Sequence, residues 1–212
     1  MYKIFKRAGD FISALLVLVV ISPVFAALII LVRITIGSPV FFRQIRSGKG
    51  AKKFSIIKFR TMTEEKDENG QYLPDEKRLT KLGRVLRGTS LDEIPELISI
   101  IKGDMSVIGP RPLPLHYNDY YTDREKKRFL VRGGLIPPEV LFHNVQPTWE
   151  EQLEYEAWYA EHISLKVDLA ILFAVFKGIF KRYEGDYGEY VRSDFAEERR
   201  REKENDSVYS ST

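Results

Sequence analysis

The first pattern along the chain is an uncharged run. Residues 11–32, between Asp10 and Arg33, carry no charge over 22 positions, and as a helix they would be about 33 Å long, enough to cross the hydrocarbon of a bilayer. The pattern predicts a membrane segment. A cleaved signal peptide fits poorly, because the run is long for such a peptide and a basic, folded-looking sequence follows it. Alternation comes next: residues 40–44 and 54–60 read as strands joined by a Gly/Lys turn, a β-hairpin. In the second strand Ile56, Lys58 and Arg60 project from one face, which suits either an anion contact or a charge-guarded sheet edge. Residues 64–76 are polar and acidic around Asn69-Gly70 and read as a mobile loop.

Helical spacing then takes over. Leu82, Val85 and Leu86 predict a short helix over residues 80–87, with Lys81, Arg84 and Arg87 on its other faces and Gly88 as its stop. A second helix is expected at once, with Ser90 as N-cap, Glu93 completing a capping box, Leu97, Ile98 and Ile101 as its buried side, and Gly103 closing it. Residues 123–131 and 149–162 also look helical. Residues 165–182 are strongly apolar, with charges toward the ends, and fit a core helix or one lying in a membrane interface. From Glu184 hydrophobic content falls, and residues 197–206 are a mixed charge run expected to be a frayed helix or a disordered tail.

Charge sharpens the membrane reading. The 212 residues hold 33 basic and 30 acidic side chains, but residues 1–60 contain 11 Lys and Arg against the single acid Asp10. Lys3, Lys6 and Arg7 precede the apolar run, and Arg33, Arg43, Arg46 and Lys49 follow it, so both flanks favour the cytoplasm. Near its middle Ser22-Pro23 interrupts the backbone ladder, and the serine hydroxyl can satisfy a freed carbonyl. A re-entrant hairpin and a kinked spanning helix both satisfy these facts. With no cysteine, disulfides, thiolate metal sites and a cysteine nucleophile are excluded.

The candidate chemistry is a pair of carboxylates among cations. Asp92 and Glu93 are expected in the first turn of a helix, where the dipole favours the ionised form, and an ionised aspartate can act as a nucleophile. Helix-start duty alone would also account for both. Lys58, Arg60, Arg84, Arg87 and Arg111, the last in Gly109-Pro110-Arg111-Pro112, supply groups that match phosphate oxygens. Two carboxylates beside a diphosphate suit Mg²⁺. His116, His143 and His162 have no metal spacing, Gly48-Lys49-Gly50 lacks the rest of a P-loop, and no Gly-x-Ser-x-Gly elbow occurs.

Those segments, Lys58-Phe59-Arg60-Thr61-Met62, Leu82-Gly83-Arg84-Val85-Leu86-Arg87, Thr89-Ser90-Leu91-Asp92-Glu93-Ile94-Pro95-Glu96-Leu97 and Lys102-Gly103-Asp104-Met105-Ser106-Val107-Ile108-Gly109-Pro110-Arg111-Pro112, resemble the bacterial sugar transferases, the monotopic phosphoglycosyl transferases. The resemblance runs from the apolar N-terminus to about Arg182, with Trp158-Tyr159 and Ser164-Leu165 fitting a late segment. It implies a re-entrant helix broken at Ser22 and Pro23. It also implies transfer of a sugar phosphate from a UDP-sugar to polyprenyl (undecaprenyl) phosphate with Mg²⁺, through a covalent phosphosugar on Asp92 with UMP released, as the first membrane step of glycoconjugate assembly. Glu93 would be its partner, as base or metal ligand, and both carboxylates would serve the metal.

One stretch departs from the family pattern. After Val131-Arg132-Gly133-Gly134-Leu135, members commonly continue Thr-Gly-(Trp or Leu)-Ala-Gln-Val and then Gly-Arg-Asn, whereas here stand Ile136-Pro137-Pro138-Glu139-Val140-Leu141-Phe142-His143-Asn144. The arginine of that segment has no counterpart, which leaves the donor sugar unassigned and keeps a catalytically altered membrane scaffold as the alternative. A nucleic-acid binder is disfavoured, since anchoring explains the basic first quarter and no recognition motif is present.

The expectation is therefore a mixed α/β fold, mainly α, with an N-terminal re-entrant helix-break-helix, a small β-hairpin and interfacial amphipathic helices. Residues 1–36 would be the membrane hairpin, 37–182 a membrane-associated cytoplasmic catalytic domain, and 183–212 a charged tail. The protein would sit monotopically in the bacterial inner membrane against lipid, with a homodimer compatible.

Overall fold

The computed structural model describes residues 2–142, 147–181 and 193–209; His143, Asn144, Arg182 and the start of the charged tail lie outside them. The fold is mixed α/β and mainly helical. It divides into two compact units: the first is residues 3–45 with 55–105, and the second is residues 1–2 with 46–54 and 106–212.

The first unit begins with α1 (Tyr2–Val20) and α2 (Ser22–Thr35), bent by 66° at the break between them. Neither helix is long and apolar enough to cross a membrane alone, whereas the pair meets that test together. Pro23 falls in the first turn of α2, where its missing N–H leaves no bond unmade. The Ser22 hydroxyl donates to the Val19 carbonyl at 2.8 Å, tying the two helices across the break. Many large apolar side chains of the pair, among them Ile12, Leu16, Val20, Ile30 and Ile34, are exposed. The other side of α2 is core: Leu28 and Val32, four apart, pack with Phe59 and Leu86, and the rings of Phe25, Phe41 and Phe59 lie 5.4 to 6.3 Å apart.

β1 (Phe41–Ser47) and β2 (Lys53–Phe59) form the expected antiparallel hairpin, whose tip, residues 46–54, belongs to the second unit. The stretch expected to be a mobile loop is built instead as a pinned excursion. Lys66 bridges Tyr72, Met62 bridges Leu79, and the Asp67 carboxylate accepts the backbone N–H groups of Asn69 and Gln71. The aspartate makes a local turn that closes the ladder, and the short α3 (Asp75–Arg78) leads out of it.

α4 (Lys81–Gly88) is capped by Thr80, whose side chain accepts the Gly83 N–H at 2.9 Å. Gly88 stays helical, and Ser90 rather than the glycine turns left-handed, at φ 56°. The capping box expected at Ser90 is not formed. Leu91–Glu93 is a 3-10 turn, and α5 (Glu96–Lys102) starts only after Pro95. Proline is the reason: it has no N–H to return to the Leu91 carbonyl, so an α ladder cannot run from Ser90, and that carbonyl accepts from Ile94 instead. With the start moved, the buried side of α5 is Glu96, Leu97, Ser99 and Ile100 rather than Leu97, Ile98 and Ile101. Gly103 closes the helix in the left-handed region as expected, and Arg7 donates to the Ile100 and Ile101 carbonyls at 2.7 and 2.8 Å.

In the second unit β3 (Ser106–Ile108) and β4 (Gly134–Ile136) pair in parallel, a sheet too short for a periodic signal. The helical stretch expected over residues 123–131 is a 3-10 helix over residues 125–130, and its buried pair Glu125 and Arg128 has the three-residue spacing that aligns side chains there. α6 (Trp149–His162) carries a full capping box at Thr148 and Glu151. α7 (Leu165–Lys181) is two-faced: Asp168, Ile171 and Ala174 are buried, while Leu165, Leu169, Leu172, Phe173 and Phe176 are exposed. The buried Asp168 accepts from the hydroxyls of Tyr2 and Tyr159. The charged C-terminal stretch forms α8 (Phe195–Tyr209), with Phe195 packed into a cluster with Tyr117, Tyr121 and Trp149.

Gly83 sets the distance between α4 and the chain leaving β2, because a Cβ there would stand 2.0 Å from the Thr61 carbonyl oxygen. Gly83→Ala is expected to lower stability by about 1 to 3 kcal/mol through overpacking, read by thermal unfolding in detergent; an unchanged melting temperature would refute this close approach.

Candidate active site

Three short pieces of the first unit build the site: the end of β2, the last turn of α4 and the 3-10 turn before α5. Lys58 precedes Phe59, whose burial against α2 and Leu86 holds the strand end in place. The Lys58 ammonium lies 2.5 Å from a Glu93 oxygen and 3.4 Å from a Glu96 oxygen. Arg87 is directed by a bond from its Nε to the Thr61 hydroxyl at 3.1 Å. Asp92 is nearly enclosed, with 9% of its surface exposed.

The electrostatics differ from a helix-start aspartate. Burial holds the Asp92 carboxyl above the usual aspartate range, Glu93 adds to the rise, and Lys58 and Arg87 oppose it. The expected help from a helix dipole is absent because α5 begins four residues later, after Pro95. The nearby cations favour the Asp92 anion, acting where water no longer screens them well.

The structure therefore gathers Asp92, Glu93, Lys58 and Arg87, and adds Glu96. Glu96 stood in the quoted motif without a role; its signal was its spacing, three residues after Glu93 and four after Asp92. Arg60 is directed elsewhere, donating to the carbonyls of Ser38 and Ile36 at 2.9 and 2.8 Å and to Glu64 at 3.3 Å. Arg84 is exposed on α4. Ser22 and Pro23 stand at the break of the helical pair. Arg111 belongs to the second unit, exposed between its two prolines, with its backbone N–H donated to Glu156 at 3.0 Å.

Among the described residues, three carboxylates close enough to share an ion occur only at Glu150, Glu198 and Glu202. Asp92 and Glu93 offer two. Two oxygen donors fit Mg²⁺, which commonly takes one or two carboxylates and fills its other positions with phosphate oxygens and water.

A buried carboxylate set among cations is an arrangement that phosphoryl chemistry can use. Comparison with known proteins agrees. The family model for bacterial sugar transferases matches residues 1–182, and the chain belongs to that family. It is 43% identical over 169 residues to an uncharacterized sugar transferase, EpsL, of Bacillus subtilis, covering 80% of this chain and 84% of that one. It is 35% identical over 201 residues to the UDP-glucose:undecaprenyl-phosphate glucose-1-phosphate transferase of Klebsiella pneumoniae, covering 84% of this chain but 41% of that enzyme. The exopolysaccharide production protein ExoY of Rhizobium meliloti is 31% identical over 185 residues, covering 79% of this chain and 82% of the relative.

Removing Lys58 takes away the largest influence that lowers the Asp92 pKa. In Lys58→Met the Asp92 titration is expected to move to higher pH, followed by carboxyl ¹³C NMR with Asp92→Asn identifying the signal; a midpoint unmoved or lowered would contradict the electrostatic assignment.

Proposed function

We propose that this chain is a phosphoglycosyl transferase that moves a sugar phosphate from a UDP-sugar to undecaprenyl phosphate. Support comes from the family membership, from relatives named as transferases of this kind, and above all from the buried Asp92 with Lys58 and Arg87 acting on it. An Asp92 carboxylate oxygen attacks the sugar-bearing phosphorus of the UDP-sugar. A P–O bond forms, the bond to the UMP oxygen breaks, and UMP leaves with that electron pair. A phosphate oxygen of the lipid then attacks the same phosphorus, the aspartyl bond breaks, and Asp92 is regenerated with polyprenyl diphosphate-sugar as product. Two displacements divide one difficult transfer into two easier ones.

Each residue has a task. Burial raises the free energy of the Asp92 anion and makes it a better nucleophile, while Lys58 and Arg87 keep a reactive fraction ionised. Glu93 and Glu96 hold Lys58 in place. Arg84 and Arg87 orient phosphate oxygens of the donor and acceptor. Mg²⁺, held by Asp92 and Glu93, supplies charge neutralisation on the transferring phosphoryl group when bound.

The bent helix pair would enter and leave the cytoplasmic leaflet on one side, in the bacterial inner membrane, with its exposed apolar side chains in lipid. Its docked side, through Leu28 and Val32, shares a core with Phe59, next to Lys58. This placement keeps the reactive turn at the leaflet surface, where the phosphate of a polyprenyl carrier lies.

Detergent-solubilised protein with Mg²⁺, undecaprenyl phosphate and a panel of UDP-sugars is expected to release UMP from one donor, and Asp92→Asn to release none while remaining in the membrane fraction. Silence across a broad panel would favour the scaffold reading. Separately, Pro23→Ala is expected to straighten the pair and move a cysteine introduced at the N-terminus to the periplasmic face, read by impermeant thiol labelling; continued cytoplasmic protection would count against a proline-dependent re-entry.

A further inference from the structure

The candidate site holds one more carboxylate than its proposed metal would use. Glu96, in the first turn of α5, is 5% exposed, and its side chain lies deeper than that of Glu93. A carboxylate taken this far from water needs a cation or hydrogen bonds beside it. Asp92, Glu93 and Glu96 do not come close enough to share an ion, since among the described residues only Glu150, Glu198 and Glu202 do. Glu96 is therefore not placed as a third ligand of the metal.

Its nearby cation is Lys58, whose ammonium is 2.5 Å from Glu93 Oε1 and 3.4 Å from Glu96 Oε1. The first contact is a short ion-paired hydrogen bond. The second is longer than the usual length of about 2.8 Å, so a shift of about 0.6 Å toward Glu96 would complete it. Lysine suits such a movement, because it is a compact charge on a flexible stem with three rotatable donors. The contact with Glu93 opposes a metal ion, since Lys58 already neutralises that carboxylate and two cations beside it repel each other. Lys58 must nevertheless stay near Asp92, where it is the strongest influence favouring the anion. Glu96 meets both demands by offering the ammonium a second carboxylate three residues along.

We propose that Glu96 is a positioning residue that receives the Lys58 ammonium when Glu93 is given over to a divalent cation, and so keeps Lys58 beside Asp92. This rests on the assignment of Mg²⁺ to Asp92 and Glu93 above. Without Glu96, Lys58 stays on Glu93 and competes with the ion. With it, a small movement relieves the competition, and Glu96 acts through Lys58 rather than on the metal.

The test is Mg²⁺ binding to the detergent-solubilised full chain, measured by isothermal titration calorimetry without substrate. The site is read as the part of the binding that Asp92→Asn with Glu93→Gln removes. Glu96→Gln keeps the side-chain shape without its charge and is expected to weaken that binding about 10-fold, a coupling of the size that neighbouring groups show. Lys58→Met removes the competitor and tightens it. The gain from Lys58→Met should be about 10-fold larger in the Glu96→Gln background than in the wild type, because only there is the ammonium confined to Glu93. Equal gains in the two backgrounds would mean that Glu96 acts on the ion by its own charge or as a ligand, and overturn the proposal. An unchanged affinity in Glu96→Gln does the same, with the metal assignment still standing. If Asp92→Asn with Glu93→Gln removes no binding, the metal assignment itself has failed, and the role of Glu96 with it. Should Lys58→Met not fold, Lys58→Gln takes its place in the comparison, because an amide donates to both glutamates without carrying charge.

Discussion

Asp92 is largely withdrawn from water, and that withdrawal organises the first unit. A desolvated carboxylate tends to hold its proton, and cations brought into the same poorly screened space oppose this. Lys58 has the larger influence and Arg87 a smaller one. Lys58 is itself half-buried between Glu93 and Glu96, so cation and acids make each other's burial tolerable. Bringing these groups together requires the end of β2 and the last turn of α4 to lie against one 3-10 turn. The close approach at Gly83 and the shared core of Phe59 and Leu86 supply that arrangement.

The same core reaches the bent helix pair. Leu28 and Val32 pack on Phe59, and two arginines hold helix ends: Arg60 takes carbonyls just beyond α2, and Arg7 takes those at the end of α5. Cations at helix C-termini meet both unsatisfied carbonyls and the negative end of the dipole. The segment proposed to enter the leaflet is therefore continuous in packing with the strand that carries Lys58. In the second unit charge is again used inside the fold, where the buried Arg128 and Glu156 pair with each other and with the main chain of Arg111, to hold a loop rather than to enlarge a core.

Much of this was legible from local pattern. The uncharged run with Ser22-Pro23, the hairpin, the short basic helix before Gly88, the Gly103 stop and the helix over residues 149–162 each depend on neighbours within a few positions, and those rules act whatever surrounds them. The dyad was legible for the same reason, as two adjacent acids after a basic helix. Pro95 was legible too, but its consequence was missed: the capping-box pattern was read through a proline that forbids the ladder. The local turn chemistry of Asp67 likewise outweighed composition in residues 64–76.

The sequence by itself determined where the chain turns, caps and becomes apolar, and which residues could carry phosphate chemistry, because those properties belong to short stretches and to side-chain type. Only the tertiary structure decided what each charge does. Lys58 and Arg60, two apart on one predicted strand face, part company: one pairs with acids of the candidate site and the other with the carbonyls beyond α2. Arg128 and Glu156, unremarkable in sequence, meet inside the second unit and hold Arg111. An ionic contact depends on a few ångströms and on the exclusion of water, and both are set by packing between segments far apart in the chain.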